Sequence, residues 1–337
     1  MAYQSKKLVI PKGDLLRVLL VGNIANVGYY LAKHLRRLGC DSVLASTYQC
    51  NVFRFPPDVL IPWRKKQRIL GVPNYMEFIR NLSQDFDVVH FISISYPHAI
   101  LTPLLKFFHK KHVIVSCVGS DIRMRGLTRA LRKHFLMFAD KIIVLTPDLL
   151  HFVPPGIHAE WVVGPVDTEV FHPFNAELYD RVHDGVDYVL FHAPSKREQK
   201  GTEMLLRAYD WLRKEYSVKL IVANNIPNRE MPTYYNSADV VLDEFKYHIL
   251  CGVSLEGMAC EKPVINSFNF WEYYETPPPV LSAHSPRQIY FYLNMLLEDP
   301  ELRMKLGKLG RAFVKKVYDA NIIARKILNF YREVTEK

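Results

Sequence analysis

Two short stretches in the second half of the chain hold residue types suited to a phosphorylated, hydroxyl-rich ligand. In HAPSKREQKGTE (192–203), Arg197 and Lys200 stand three apart on a loop entering a helix, and Gly201 frees the backbone beside them. A guanidinium, an ammonium and the open N–H groups of a helix start neutralise a diphosphate and hold it by charge-assisted hydrogen bonds. The same pattern also describes an ordinary basic surface loop. In ADVVLDEFKYHILCGVSLEGMACEKPVI (238–265), a short apolar strand ends in Asp243 and Glu244, acids able to accept sugar hydroxyls. A helix then starts near Gly252, which leaves the backbone uncovered for a diphosphate. Glu256, one turn on, suits a vicinal diol such as a ribose 2′,3′-OH pair. A capped crossover with a solvated first-turn Glu is the plainer reading of the same residues.

These loops need a scaffold, and the apolar pattern supplies one. The run 15–21 reads as a buried strand ending at Gly22, and 26–38 has apolar residues at helical spacing. The turn between them, GNIANVG, lacks the G-x-G-x-x-G fingerprint, which disfavours NAD, although Gly22 leaves room for a substrate and Asn26 shares its loop. Strands at 42–45, 87–91, 112–116 and 141–145 alternate with helices at 74–83, from 97 and at 124–138. Such alternation implies a parallel sheet covered by helices, whose ligands sit beyond the strand C-termini at GNIAN, HFISIS and CVGSDIR. His90 and Asp121 fall there: His90 as general base, substrate donor or satisfied structural histidine, Asp121 as substrate contact or helix cap. The Pro- and Gly-rich 151–173 reads as the crossing to a second α/β series, with strands at 188–192, 218–223 and 279–282 and three closing helices.

With 337 residues, 49% hydrophobic and 23% charged, the chain has material for two globular domains. Its net charge of +10 points to anionic company, phosphates, nucleic acid or acidic lipid. The five cysteines are odd in number and form no C-x-x-C pair, which indicates neither a disulfide framework nor zinc and fits a reducing cytoplasm. The first 21 residues lack the apolar core of a signal peptide, and no run of about 18 apolar residues occurs, so membrane association is expected to be peripheral. WRKKQRIL (63–70) and MRGLTRALRKHF (124–135) interleave basic and apolar residues, as an anionic-lipid face or an ordinary core-facing helix with a solvated cationic side would. No nucleic-acid motif accompanies the charge.

Taken together these pieces resemble the GT-B superfamily of glycosyltransferases, most closely the family 4 type of retaining enzymes, also termed glycosyl transferases group 1. LLVGNIANVGYYLAKHL is similar to that family's first strand and glycine loop, VGSDIR to its H-G-S-D-x-R loop, and VVGPVDTEVFHP to its segment before the hinge. APSKREQKGTE resembles its Arg/Lys phosphate loop and GVSLEGMACEKPVI its donor signature. The resemblance implies two Rossmann-like parallel-sheet domains about an interdomain cleft: an acceptor domain at 1–170, a donor domain at 171–318, and a C-terminal helix at 319–337 placed to pack back on the first. It implies a cytoplasmic hexosyltransferase, expected at the inner membrane face, moving a sugar with retention from a nucleoside diphosphate sugar to a glycan, lipid-linked or other acceptor.

On this resemblance Arg197 and Lys200 stabilise the departing diphosphate without a metal or other cofactor, and Glu256 binds the ribose. Gly22, Asn26, Asp243, Glu244 and Gly252 complete the donor side, and Asp121 and Arg123 the acceptor loop. The chain departs from the family at His248, eight residues before Glu256 where a first Glu is usual, and at Val118, where many members have His. The second change leaves His90 to supply any histidine from the first domain. Gly164 replaces a usual Asn and Glu261 a usual Gly. A catalytically inactive partner subunit of the same fold is the alternative, and a nucleic-acid-binding or modifying protein a third.

Overall fold

The computed structural model describes residues 15–47, 55–62, 71–123, 133–223 and 226–336. In the first unit the elements are β1 (Arg17–Val21), α1 (Val27–Arg37), β2 (Asp41–Thr47), β3 (Val59–Ile61), α2 (Val72–Ser83), β4 (Val88–Ile92), α3 (Tyr96–Pro103), β5 (His112–Cys117), α4 (Ser120–Arg123), β6 (Lys141–Val144) and β7 (Glu160–Trp161). The strands form one parallel sheet in the order β3-β2-β1-β4-β5-β6-β7. Val18 to Val21 and the whole of β4 are buried, because helices cover both faces and leave no polar side for a strand to alternate onto.

The second unit contains α5 (Tyr179–Val182), β8 (Tyr188–His192), α6 (Arg197–Lys200), α7 (Thr202–Leu212), β9 (Val218–Val222), α8 (Met231–Asn236), β10 (Val240–Leu242), α9 (Gly252–Ala259), β11 (Val264–Asn266), β12 (Leu281–Ser282), α10 (Pro286–Glu298), α11 (Pro300–Val317) and α12 (Ala320–Thr335). Its parallel sheet runs β12-β11-β10-β8-β9. In each sheet the strand order reverses beside the first strand, opening a crevice between β1 and β4 and between β8 and β10. Leu242 pairs with His192 at the last rung, so the loops after β8 and β10 leave the sheet side by side.

The crossing segment and helix α12 tie the two units together. The crossing segment pairs Val166 with Asp319, through Val166 N–H to the Tyr318 carbonyl at 2.8 Å and Ala320 N–H to the Val166 carbonyl at 2.9 Å. Lys33 and Arg37 of α1 pair with Asp167 and Glu169 of that segment at 2.5 and 2.6 Å. Helix α12 packs on α1, and its buried Ile323, Ile327, Tyr331 and Val334 belong to the same hydrophobic core as Val18 and Leu31. Edge strands β3 and β7 were not expected: at three and two residues they are too short to show a period. The basic stretch 63–70 and residues 124–132 of the second lie outside the described residues.

Candidate functional site

The loop after β8 turns into α6, one helical turn with Arg197 at its start and Lys200 at its end. Gly201 follows in the left-handed region at φ +70, and a Cβ there would sit 2.9 Å from Phe245 Cβ. That close approach, with the Phe245 N–H donating to the Lys200 carbonyl at 3.1 Å, locks the 197–201 turn against the loop after β10. Arg197 is exposed, and among the described residues no acid pairs with it. Lys200 instead lies inward, its Nζ 3.1 Å from Asp243 Oδ1. Burial works against the Lys200 charge, but Asp243 and the Cys251 sulfur outweigh it and hold the ammonium above the ordinary lysine pKa.

Asp243 and Glu244 do not read sugar hydroxyls, for both carboxylates are buried and used within the protein. Asp243, 1% exposed, also accepts from the Ser254 N–H at 3.0 Å and the Ser254 hydroxyl at 2.9 Å. It therefore ties Lys200 to the start of α9. Glu244 is wholly buried and accepts from the backbone N–H groups of Lys246 and Tyr247, which folds the 244–249 loop around its side chain. Gly252, the first residue of α9, is exposed. With Ser254 capped by Asp243, the Gly252 and Val253 N–H groups are the open donors of this helix start among the described residues. Half-buried Glu256 accepts from the Tyr235 hydroxyl at 2.7 Å. Burial raises its pKa to about 7, with the Tyr235 hydrogen bond opposing the rise and Asp243 adding to it.

The first unit disposes of its strand-end residues differently. His90 is not a base or substrate contact: it is 0% exposed, with Nδ1 at 2.7 Å from the Tyr331 hydroxyl and Nε2 at 2.7 Å from Ser116 Oγ. Burial drops its pKa to about 3, so it is a neutral bolt between β4, β5 and α12. Gly22, at φ +105, spends the space of its missing side chain on the Ile92 carbonyl, 2.7 Å from where a Cβ would stand. Asn26 is 2% exposed, left-handed at φ +58, and accepts from the Phe55 N–H at 3.0 Å. Both shape the β1–α1 turn. Asp121 accepts from the N–H groups of Gly119 at 2.7 Å and Ile94 at 3.1 Å, stitching the loops after β5 and β4 together rather than facing outward. Arg123 forms a two-point pair with Asp148 at 2.7 and 3.0 Å, and its guanidinium lies 5.6 Å from the Tyr247 ring centre of the second unit.

Tyr247 and Tyr30 are the residues the sequence pattern passed over. Tyr30 donates from its hydroxyl to Asn228 Oδ1 at 3.2 Å across the two units. Burial first, then the nearby Glu256 carboxylate, raise its pKa well above the ordinary phenol value. In the helical spacing of 26–38 Tyr30 takes an apolar position of α1; its hydroxyl, where Phe would serve the core, is the signal for a polar role. The groups that gather at the β8–β10 crevice are thus Arg197, Lys200, the Gly252 and Val253 amides and Glu256, with Tyr30 opposite.

Two parallel-sheet units of this order, bridged by a crossing segment and a returning C-terminal helix, form the GT-B glycosyltransferase fold. Residues 176–329 match the family model described as glycosyl transferase-like. The sucrose-phosphate synthase structure from Thermosynechococcus elongatus is similar over 95% of this chain and 99% of that one, at 16% identity and TM-score 0.73. The catalytic domain of starch synthase IV from Arabidopsis thaliana, bound to ADP and acarbose, is similar over 96% and 100%, at 12% identity and TM-score 0.70. Anabaena HepE in complex with UDP-glucose is similar over 94% and 100%, at 13% identity and TM-score 0.68. No curated protein matches the chain by sequence.

Proposed function

We propose that this protein is a retaining, metal-independent family 4 hexosyltransferase that moves a sugar from a nucleoside diphosphate sugar to a glycan or lipid-linked acceptor. The observation that supports the reading is that the loops after β8 and β10, locked together by Phe245 on the Lys200 carbonyl and by the Lys200–Asp243 pair, carry exposed Arg197, Lys200, the open Gly252 and Val253 amides and Glu256. When the sugar leaves, negative charge grows on the diphosphate. Arg197, Lys200 and the two amides answer that charge, while Glu256 accepts from the ribose hydroxyls. Preorganised donors of this kind typically contribute about 3–4 kcal/mol each to the transition state. The UDP-glucose and ADP found with two proteins of similar fold support a nucleotide donor. The +10 net charge suits an anionic acceptor or membrane surface.

The test is incubation with UDP-, GDP- and ADP-sugars while donor consumption is followed, with the anomeric configuration of the product read by NMR. One donor should be consumed with retention, and Arg197→Ala or Lys200→Ala should abolish most of that turnover. Undiminished turnover in both variants removes the phosphate role assigned to them. The buried engagement of Lys200 by Asp243 favours one second reading, a nucleotide-binding partner without activity, which would show affinity for a nucleoside diphosphate and no turnover.

A further inference from the structure

At the opposite edge of the first sheet, where strands begin rather than end, the protein carries an apolar tip that its own core does not use. Pro103 closes α3, and the chain continues as a π-helical turn, Leu104–Phe108, before entering β5. Proline has no N–H to give the preceding turn, which loosens the hydrogen-bond ladder there. Phe108 is 77% and Phe107 60% exposed, and Met137, on the short 3-10 turn Phe135–Phe138, is 63% exposed. The edge of Phe107 meets Phe138 with ring centres 5.8 Å apart, so the two turns make one surface. Large side chains gathered at such exposure mark an interaction site rather than unused core.

The charge around the tip selects the partner. Residues 104–111 hold Lys106, Lys110 and Lys111 and no acid; Lys106 pairs with Asp140 at 2.9 Å, and the Lys111 ammonium donates to the Gln84 and Phe86 carbonyls at 2.9 and 2.8 Å. Lys110 is exposed directly beside Phe108, on a left-handed residue at φ +50. A second copy would bring these lysines onto each other, and like charges at close range oppose that arrangement. A projecting pair of phenylalanines with the exposed Lys110 ammonium beside it instead suits the headgroup region of an anionic bilayer, where rings enter the acyl boundary and a lysine meets lipid phosphates. No helix among the described residues is long and apolar enough to cross a membrane, so this contact is with one leaflet.

We infer that Leu104, Phe107, Phe108 and Met137, with Lys110, form a docking surface for an anionic lipid bilayer. This deepens the membrane part of the proposed function and is independent of the transfer reaction, since the surface lies at the strand N-termini and the site at their C-termini. The experiment is co-sedimentation of the full chain, without any sugar donor, with vesicles of phosphatidylcholine alone or with a third phosphatidylglycerol. Wild type should bind the anionic vesicles and be released by high salt. Phe107→Ser/Phe108→Ser should bind at least about tenfold more weakly, the equivalent of about 1.4 kcal/mol. Lys110→Glu should weaken binding to anionic vesicles while the unfolding temperature stays at the wild-type value. Equal binding by wild type and the double variant, binding that ignores lipid charge, or a wild-type dimer that the double variant turns to monomer would each overturn the inference. Because no donor is present, failure here leaves the transfer reading standing, and an absence of transfer leaves the docking result standing.

Discussion

The two units place chemically capable residues at equivalent points, the C-terminal ends of the central strands, yet use them in opposite ways. In the first unit His90, Asp121, Asn26 and Gly22 are consumed by the protein itself, bonded to Tyr331, to loop amides, to Phe55 and against Ile92. In the second, Asp243 and Glu244 are consumed in the same way, but what they organise is left open: an exposed guanidinium, a restrained ammonium and the first two amides of a helix. A strand end tells where a group stands. Whether it can meet a ligand depends on burial and on the acceptors already around it.

The largest expected effect breaks this contrast if it fails. Arg197→Ala and Lys200→Ala should each lower turnover of the true donor by about 10²–10³-fold, measured at saturating donor. Next comes stability. Asp243→Asn leaves the Lys200 ammonium buried without its counter-charge and should cost about 3–5 kcal/mol in urea unfolding. Adding Lys200→Met to Asp243→Asn should recover much of that loss, because the orphaned charge is then gone; no recovery would mean that Asp243 acts through Ser254 alone.

Glu256 gives an effect that depends on pH. Burial raises its folded-state pKa to about 7, above the ordinary carboxylate value. Between the ordinary value and 7 the folded state keeps a proton that the unfolded chain releases, so stability falls as pH rises through that window and levels off above it. Glu256→Gln should flatten this slope and be at least as stable as wild type at pH 8. Its affinity for the nucleoside diphosphate should nonetheless drop about ten- to a hundredfold by calorimetry. A Glu256→Gln protein that binds nucleotide as wild type does would remove Glu256 from the site.

Smaller effects sharpen the contrast. Gly201→Ala forces a side chain into the left-handed region against Phe245 and should cost about 1–3 kcal/mol of stability. The smallest effect on turnover belongs to His90→Gln. It should lower the unfolding temperature by a few degrees through the loss of its bonds to Tyr331 and Ser116 and leave turnover unchanged. Lost turnover in a folded His90→Gln protein would show that the first unit does reach the chemistry through this residue.

The architecture was legible because strands buried on both faces, such as VLLV in β1, write unbroken apolar runs, and parallel order follows from the helices between them. The closeness of the 197–200 and 243–256 loops was legible for the same reason. Burial at the strand ends was not: nothing local distinguishes a His90 that meets Tyr331, 241 residues away in sequence, from one that meets solvent. Asp243 next to Glu244 reads as an acidic loop, while the geometry turns one toward Lys200 and the other into its own backbone. Glu261 shows the reverse. It stands where glycine is usual in the resembling family, and the structure gives it φ +59, a conformation glycine would take without strain.

The most direct measurement is calorimetric titration of UDP, GDP and ADP into the wild-type protein and into the Arg197→Ala/Lys200→Ala double variant. The account predicts that one of the three binds the wild type and that the variant, still folded, loses at least about a hundredfold in affinity. Equal affinity in the two proteins, or no binding of any of the three to the wild type, would contradict a diphosphate site at the β8–β10 crevice.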